Sequence, residues 1–475
     1  MKIIGRKQEL AILADLPHRN SSAFVAVYGR RRVGKTFLIR NAFDNKFAFH
    51  LTGLANANMA QQLANFSFAI KSYDASSELK PAIKTWQEAF EQLIQLLEKN
   101  KEKKKVIFLD ELPWLDTALS GFVPALEHFW NAWASARTDI ILVVCGSAAA
   151  WMINKLINSR GGLHNRVTHR IRLQPFTLGE CEAFFKAKTA VFDRYQIVLL
   201  YMAIGGIPFY LDQVNVTQSA DQNIDRLCFT ADGILRGEFY NLYHSLFQKA
   251  ERHISVIEAL SKKAKGLTRD ELLEASGMPN GGGTTRILKE LEESHFIRKY
   301  VSYGNKEKLS LYQLSDPYSL FYLRWIKNSS MLDENSWISQ LDSPQKRAWS
   351  GYAFEQVCLE HIGEIKKALG IAGIQTSTSA WTSRDKPRGA QVDLVIDRRD
   401  RVINICEMKF SIHPFTITKD YATALGEKIS LFREQTKTNK SIYLTMITTF
   451  GLVPNAYASS IVQTSLDMNV LFGEG

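Results

Sequence analysis

Gly29, Gly34, Lys35 and Thr36 stand at the spacing G-x-x-x-x-G-K-[ST], with Arg30, Arg31, Arg32 and Val33 between them. In such a loop backbone N–H groups turn inward where no Cβ obstructs them, and the helix that follows adds partial positive charge. Lys35 can reach the β- and γ-phosphates of a nucleoside triphosphate, and the Thr36 hydroxyl can hold Mg2+. Asp110 and Glu111 end an apolar run and supply the acids this chemistry needs. Asp110 can hold the Mg2+ through water, and Glu111 is placed to orient and deprotonate an attacking water. Ser147 ends another apolar run and can contact the γ-phosphate or that water.

A second reactive set lies near the C-terminus: Asp393 in QVDLVI, Glu407 and Lys409 in NICEMK, and Glu355 in a helical stretch upstream. Residues i and i+2 on a strand share a face, so Glu407 and Lys409 point together. A hairpin centred on Arg399, turning at Asp397–Asp400, puts Asp393 opposite Ile405 and on that face. A one-residue slip removes it. Two acids on an otherwise apolar sheet are costly without a cation. Asp393 and Glu407 therefore offer oxygens to Mg2+, and Lys409 can orient a hydroxide and stabilise charge developing on a phosphate. The pattern predicts a metal-dependent nuclease. An edge hairpin with solvated acids is the plainer alternative.

Several elements must position these groups. Phe24–Tyr28, Val106–Leu109 and Ile140–Val144 are continuous apolar runs of buried-strand length, and Ile171-Arg172-Leu173 reads as a short strand before Pro175. Residues 57–100 read as helical, with Phe66, Phe68, Trp86, Phe90, Leu93 and Leu97 as apolar markers. Strands alternating with helices predict a parallel, helix-covered sheet. Residues 177–250 read as all-helical, broken at Gly205-Gly206-Ile207-Pro208. Helices over 253–264, after Thr268 and over 284–294, then a hairpin over 296–314 turning at Gly304-Asn305, predict a winged helix, as suited to packing as to reading DNA. An aromatic connector follows Asp316-Pro317, the chain restarts around Asp342, and Gly351–Ile362 is expected to be a helix carrying Glu355.

With 475 residues, two to four domains are expected. Lys plus Arg is 59 against 48 Asp plus Glu, a net +11, which mildly favours a polyanionic partner. The five cysteines form no C-x-x-C pair, the opening MKIIGRKQEL has no signal-peptide apolar region, and no apolar stretch approaches 18 residues. A cytoplasmic protein without a membrane span is expected.

Residues 1–250 resemble the AAA+ type of P-loop ATPase common in archaea and bacteria. Gly5, Arg6, Glu9 and Leu10 match its G-R-x-x-E-L, Gly29–Thr36 its G-R-R-R-x-G-K-T, Asp110-Glu111 its Walker B acids and Cys145-Gly146-Ser147 its sensor 1. The resemblance implies ATP as ligand, an arginine finger near Arg166 with Arg160 close by, and a helical lid containing Gly205–Pro208. Residues 346–475 are similar to the PD-(D/E)xK nuclease superfamily, on Glu355, Asp393, Glu407 and Lys409, with Val392 standing where the motif's name has proline.

The expected fold class is α/β: a P-loop parallel sheet (1–176) with a helical lid (177–250), a winged helix (251–316), a helical connector (317–345) and an α/β nuclease-like domain (346–475). The expected function is an ATPase that gates or positions a Mg2+-dependent nuclease acting on nucleic acid, DNA before RNA, with a homo-oligomer admitted. The alternatives are an ATP-dependent switch whose C-terminal domain binds without cleaving, and an ATP-responsive regulator that binds DNA through the winged helix.

Overall fold

The computed structural model describes residues 3–473 apart from 75–81, 158–160, 164, 248, 306–308, 330–336, 341–342 and 384–388. Arg160 and Asp342 thus lie outside the described residues. The chain forms two compact units, residues 1–175 with 246–248, and residues 176–245 with 249–475.

The first unit is built on β1 (Ala23–Tyr28), β2 (Phe49–Thr52), β3 (Lys105–Asp110), β4 (Ile140–Gly146) and β5 (His169–Arg172), in the order β2-β3-β4-β1-β5 and parallel throughout. Strands β3 and β4 are buried along their whole length, as the apolar runs require of strands covered on both faces. Because β4 lies between β1 and β3, its end separates the glycine loop from the Asp110-Glu111 pair.

Helices Met59–Tyr73 and Trp86–Lys99 cover the sheet, and each opens with a reciprocal capping box, Asn58 with Gln61 and Thr85 with Glu88. The apolar markers Phe66, Trp86, Phe90, Leu93 and Leu97 are in this core. Phe68 is not: it is 73% exposed. Two residues after Phe66 it points about 200° round the helix, away from the sheet.

In the second unit, helices Leu178–Ala187, Arg194–Ile204, Pro208–Asp212, Ala220–Cys228 and Glu238–Leu246 come first. Three more follow, Ala250–Ser261, Arg269–Ser276 and Gly282–Glu293. With them goes an antiparallel sheet of β6 (Leu267–Thr268), β7 (Ile297–Tyr300) and β8 (Leu311–Leu314), in the order β6-β8-β7.

The last sheet contains β9 (Thr376–Thr382), β10 (Gln391–Arg398), β11 (Val402–Lys409), β12 (Ser441–Thr448) and β13 (Thr464–Asp467), in the order β13-β12-β11-β10-β9. Strands β9, β10 and β11 pair antiparallel, whereas β11, β12 and β13 pair parallel. The parallel step from β11 to β12 needs a crossover, and helix Lys419–Thr436 provides it.

Three local expectations change here. The β10–β11 hairpin is not at an edge, since β11 is the middle strand of the five. Its register pairs Val395 with Ile405 and Leu394 with Cys406, so Asp393 falls opposite Glu407 rather than Ile405. The strand runs on to Arg398 and the loop is only residues 399–401, with Arg401 at φ 67°. A two-residue slip preserves the face, so Asp393 stays beside Glu407. The helix carrying Glu355 spans Pro344–Glu360 and is capped by His361, so it ends two residues short of the expected Ile362. There the imidazole turns back on the chain: Nδ1 donates to Val357 O at 2.8 Å, and Nε2 accepts from Leu178 N at 3.0 Å.

Candidate functional site

The glycine loop leaves β1 at Gly29, whose φ is 150°, and a Cβ there would lie 2.2 Å from Leu173 O. It ends at Gly34, φ 91°, the N-cap of helix Lys35–Ala42. The three arginines of the loop diverge: Arg30 is buried, Arg31 exposed and Arg32 half-buried. Arg6, itself buried, donates from Nη2 to Val33 O at 3.3 Å and ties the segment before β1 to the loop.

Lys35 is buried, and its Nζ donates to Gly29 O at 3.1 Å, Arg30 O at 3.0 Å and Ser147 Oγ at 2.9 Å. The Ser147 hydroxyl donates to Glu111 Oε1 at 2.7 Å, and its backbone N–H to Oε2 at 3.1 Å. The serine at the end of β4 therefore joins the loop lysine to the strand-end glutamate. Burial lowers the Lys35 pKa, and the charge of Glu111 opposes that shift. Glu111 takes the left-handed conformation, φ 48°, which carries strain in a non-glycine residue.

Thr36 Oγ1 donates to Asp110 Oδ2 at 2.9 Å, so a hydroxyl and a carboxylate, both ligands suited to Mg2+, converge beside Lys35. The Cys145 thiol donates to Asp110 Oδ1. Arg166 is exposed on a turn before β5, apart from these contacts.

In the second unit, Ile403, Ile405, Glu407 and Lys409 alternate onto one face of β11. Helix Lys419–Thr436 covers that face with Leu425 and Phe432. The same helix supplies two polar groups to Glu407. Tyr421 OH donates to Oε1 at 2.8 Å, and Lys428 Nζ pairs with Oε2 at 2.6 Å. Lys409 Nζ lies 3.0 Å from Oε1. Burial works to raise the Glu407 pKa, but Lys428 and Lys409 outweigh it and hold it below the usual value.

Burial raises Asp393, which accepts a bond from Gln391 Nε2. Glu355 is pushed up to about 8, first by burial and then by the charge of Asp393. The four residues expected from the sequence are thus brought together. Among the described residues, however, no three His, Cys, Asp or Glu side chains are grouped closely enough to hold a metal ion.

Tyr421, Lys428 and Gln391 escaped the sequence reading. A signal existed for Lys428: Tyr421, Leu425, Lys428 and Phe432 follow the i, i+4, i+7, i+11 stripe of a buried helix face, and a lysine inside it needs an acid.

The parallel sheet, the glycine loop at the end of β1 and the acids at the end of the strand beyond β4 define a P-loop ATPase domain. Residues 3–214 match the model of a family described as an ATPase domain predominantly from Archaea. An uncharacterized protein of Methanocaldococcus jannaschii is 25% identical over 418 residues, 86% of this chain and 87% of that protein. An uncharacterized ATP-binding protein of the same organism is 44% identical over 43 residues, 9% of this chain and 73% of its own length. Among solved structures, a Walker-type ATPase of Pyrococcus abyssi is 18% identical and covers 68% of this chain and 96% of its own, with a TM-score of 0.47. The ORC2 protein of Aeropyrum pernix, in its ADPNP–ADP complexes, is 14% identical and covers 69% of this chain and 94% of its own, with a TM-score of 0.42. No helix among the described residues is long and apolar enough to cross a membrane.

Proposed function

We propose that the chain hydrolyses ATP and uses it to gate or position a C-terminal nuclease acting on nucleic acid. The observation that carries the ATPase half is the Lys35–Ser147–Glu111 chain of hydrogen bonds. It holds a cation for the phosphates and a carboxylate for the attacking water on either side of one serine. Mg2+ would be held by Thr36 and Asp110, where it neutralises phosphate charge. Glu111 accepts the proton of the attacking water, Ser147 keeps its carboxylate aimed, and the exposed Arg166 serves a neighbouring copy as the finger.

The test measures binding and turnover separately. Lys35→Ala is expected to lose ATP binding. Glu111→Gln is expected to bind ATP normally and to hydrolyse it about 10²–10⁴-fold more slowly. Wild-type turnover in Glu111→Gln removes Glu111 from the role.

The nuclease half is supported by Asp393 lying across from Glu407, with Lys409 and Glu355 beside them. Asp393 and Glu407 would hold a divalent cation, which supplies a polarised phosphate when bound. A cation there would offset the cost of burying these acids, which, followed by the charge of Asp393, raises Glu355 to about 8. Lys409 stabilises charge on the phosphate. Incubation of wild type with Mg2+ and a panel of DNA and RNA is expected to give cleavage that Asp393→Ala abolishes while ATP hydrolysis persists.

The second reading, a switch that binds without cleaving, is favoured by Glu407, both of whose oxygens are already taken by Lys409, Lys428 and Tyr421. Absence of cleavage from every substrate puts that reading first. The three helices with β6, β7 and β8 we take as a winged helix that packs rather than reads duplex DNA. Its third helix carries Arg286 and Lys289 against Glu290, Glu292 and Glu293.

A further inference from the structure

Strand β7 and the acid cluster line one cavity of about 1370 Å3 inside the second unit. One wall carries Lys265, Arg298 and Tyr300, and the other Glu355, Asp393 and Lys428. Arg298 is the group that asks for a ligand. Its Nη2 donates to Gln356 Oε1, on the helix that bears Glu355. Its Nε is buried and has no hydrogen-bond partner, and burial lowers its pKa. Glu360 acts on it only through space. A guanidinium in a cavity wall whose one side-chain partner is a neutral amide keeps its positive charge uncompensated by a direct bond to an acid, and so suits an anion. The anion that belongs beside Asp393, Glu407 and Lys409 is a phosphodiester.

A second feature selects the kind of polynucleotide. The Tyr300 hydroxyl donates to Lys265 O at 2.5 Å, which tethers the ring in the cavity wall. Aromatic faces next to cations bind single strands, because each base can stack on them whatever its sequence. The cavity exceeds the roughly 300–1,000 Å3 of a drug-sized pocket, so it has room for a few nucleotides of one strand. In a duplex the bases are stacked and paired, and a strand reaches a lined pocket only by leaving that stack.

We propose that this cavity binds a single-stranded polynucleotide, with Arg298 on a backbone phosphate, Tyr300 under a base and Lys265 at the rim. The proposal names the substrate class of the C-terminal site and rests on the reading of that site given above.

The test uses the full chain in EDTA, where binding is read without cleavage. Fluorescence anisotropy compares dye-labelled oligo-dT and oligo-U of about 12 nucleotides, within the usual footprint of such sites, with a blunt DNA duplex of that length. Both single strands, or one of them if the 2′-hydroxyl matters, are expected to bind at least about tenfold more tightly than the duplex. Arg298→Gln weakens that binding about tenfold and lowers the salt slope by roughly 0.7, as for one lost phosphate contact; Arg298→Lys restores part of it. Tyr300→Leu weakens binding at least about fivefold. Lys265→Glu, at an exposed position where folding is not at stake, weakens it too and leaves ATP hydrolysis unchanged.

Duplex binding as tight as single-strand binding overturns the proposal. So does wild-type affinity in all three weakening variants. Single-strand binding without cleavage in Mg2+ upholds the pocket and sinks the nuclease reading. Duplex cleavage at the wild-type rate in the three variants does the reverse.

Discussion

Lys35 and Lys428 are both lysines held by buried oxygens, and they differ in how the sequence announces them. Lys35 sits at a fixed spacing from two glycines, so local residues alone reveal it. Lys428 is marked locally only as a lysine within an apolar helix stripe, and its acid, Glu407, lies 21 residues away on another element. Its contact can be weighed. Replacement by Met removes one of three partners of a buried carboxylate, and a lost hydrogen bond to a charged group costs about 1.5–3 kcal/mol. Lys409 and Tyr421 remain, so the lower end applies. Lys428→Met should lower the melting temperature of the C-terminal transition in calorimetry while ATP turnover persists. An unchanged transition would mean that the 2.6 Å pair is stabilised no better than an exposed one.

At the scale of elements, the apolar runs placed β1, β3 and β4, because strands of a covered parallel sheet must be apolar on both faces. The β10–β11 register was legible only to within two residues. Its loop is set by Arg401 in a left-handed conformation, and the run Arg398-Arg399-Asp400-Arg401 contains no glycine or asparagine to announce one. That β11 is a central strand depends on pairing with β12 across the crossover helix, which alternation within the hairpin does not encode.

Where β3 and β4 begin, Asp139 clamps them: Lys105 Nζ and the Nε and Nη2 of Arg137 each lie 2.7 Å from one of its carboxylate oxygens. The bonds from Arg137, then Lys105, hold the Asp139 pKa well below the usual range. With a folded value under the unfolded value of about 3.9, the stabilisation is complete above that pH and is lost as the pH falls towards the folded value. Asp139→Asn should therefore cost about 1–3 kcal/mol at pH 7. The gap from wild type should narrow below about pH 4 in pH-resolved thermal melts. A gap independent of pH would assign the loss to packing instead.

At the scale of the whole molecule, the helices after Pro175 share a compact unit with the C-terminal sheet. His361 accepts from Leu178 N, Tyr201 OH donates to Glu360 at 3.3 Å, and the Tyr195 ring stacks on Phe410 at 5.6 Å. Those contacts join the resemblance's lid to the helix of Glu355 and to the residue after Lys409. The sequence divided these parts because its signals are local, whereas the contacts bridge more than 150 residues. Assembly is the remaining question at this scale. If Arg166 completes a neighbour's site, its loss costs roughly 10³–10⁵ in rate. Mixing Lys35→Ala with Arg166→Ala subunits should then restore part of the hydrolysis that each lacks alone. No rescue, with turnover per chain independent of concentration, points to a monomer.

One small contact gives the ATP site a chemical reporter. All five cysteines are buried, and Cys145 lies against Asp110 with its pKa pushed well up by burial. Alkylation needs an exposed thiolate. The native chain should therefore be almost silent to iodoacetamide, and modification of Cys145 becomes a clock for how often the end of β4 comes open. Bound nucleotide should slow that clock, and peptide mapping of the alkylated residue would read it without any engineered label.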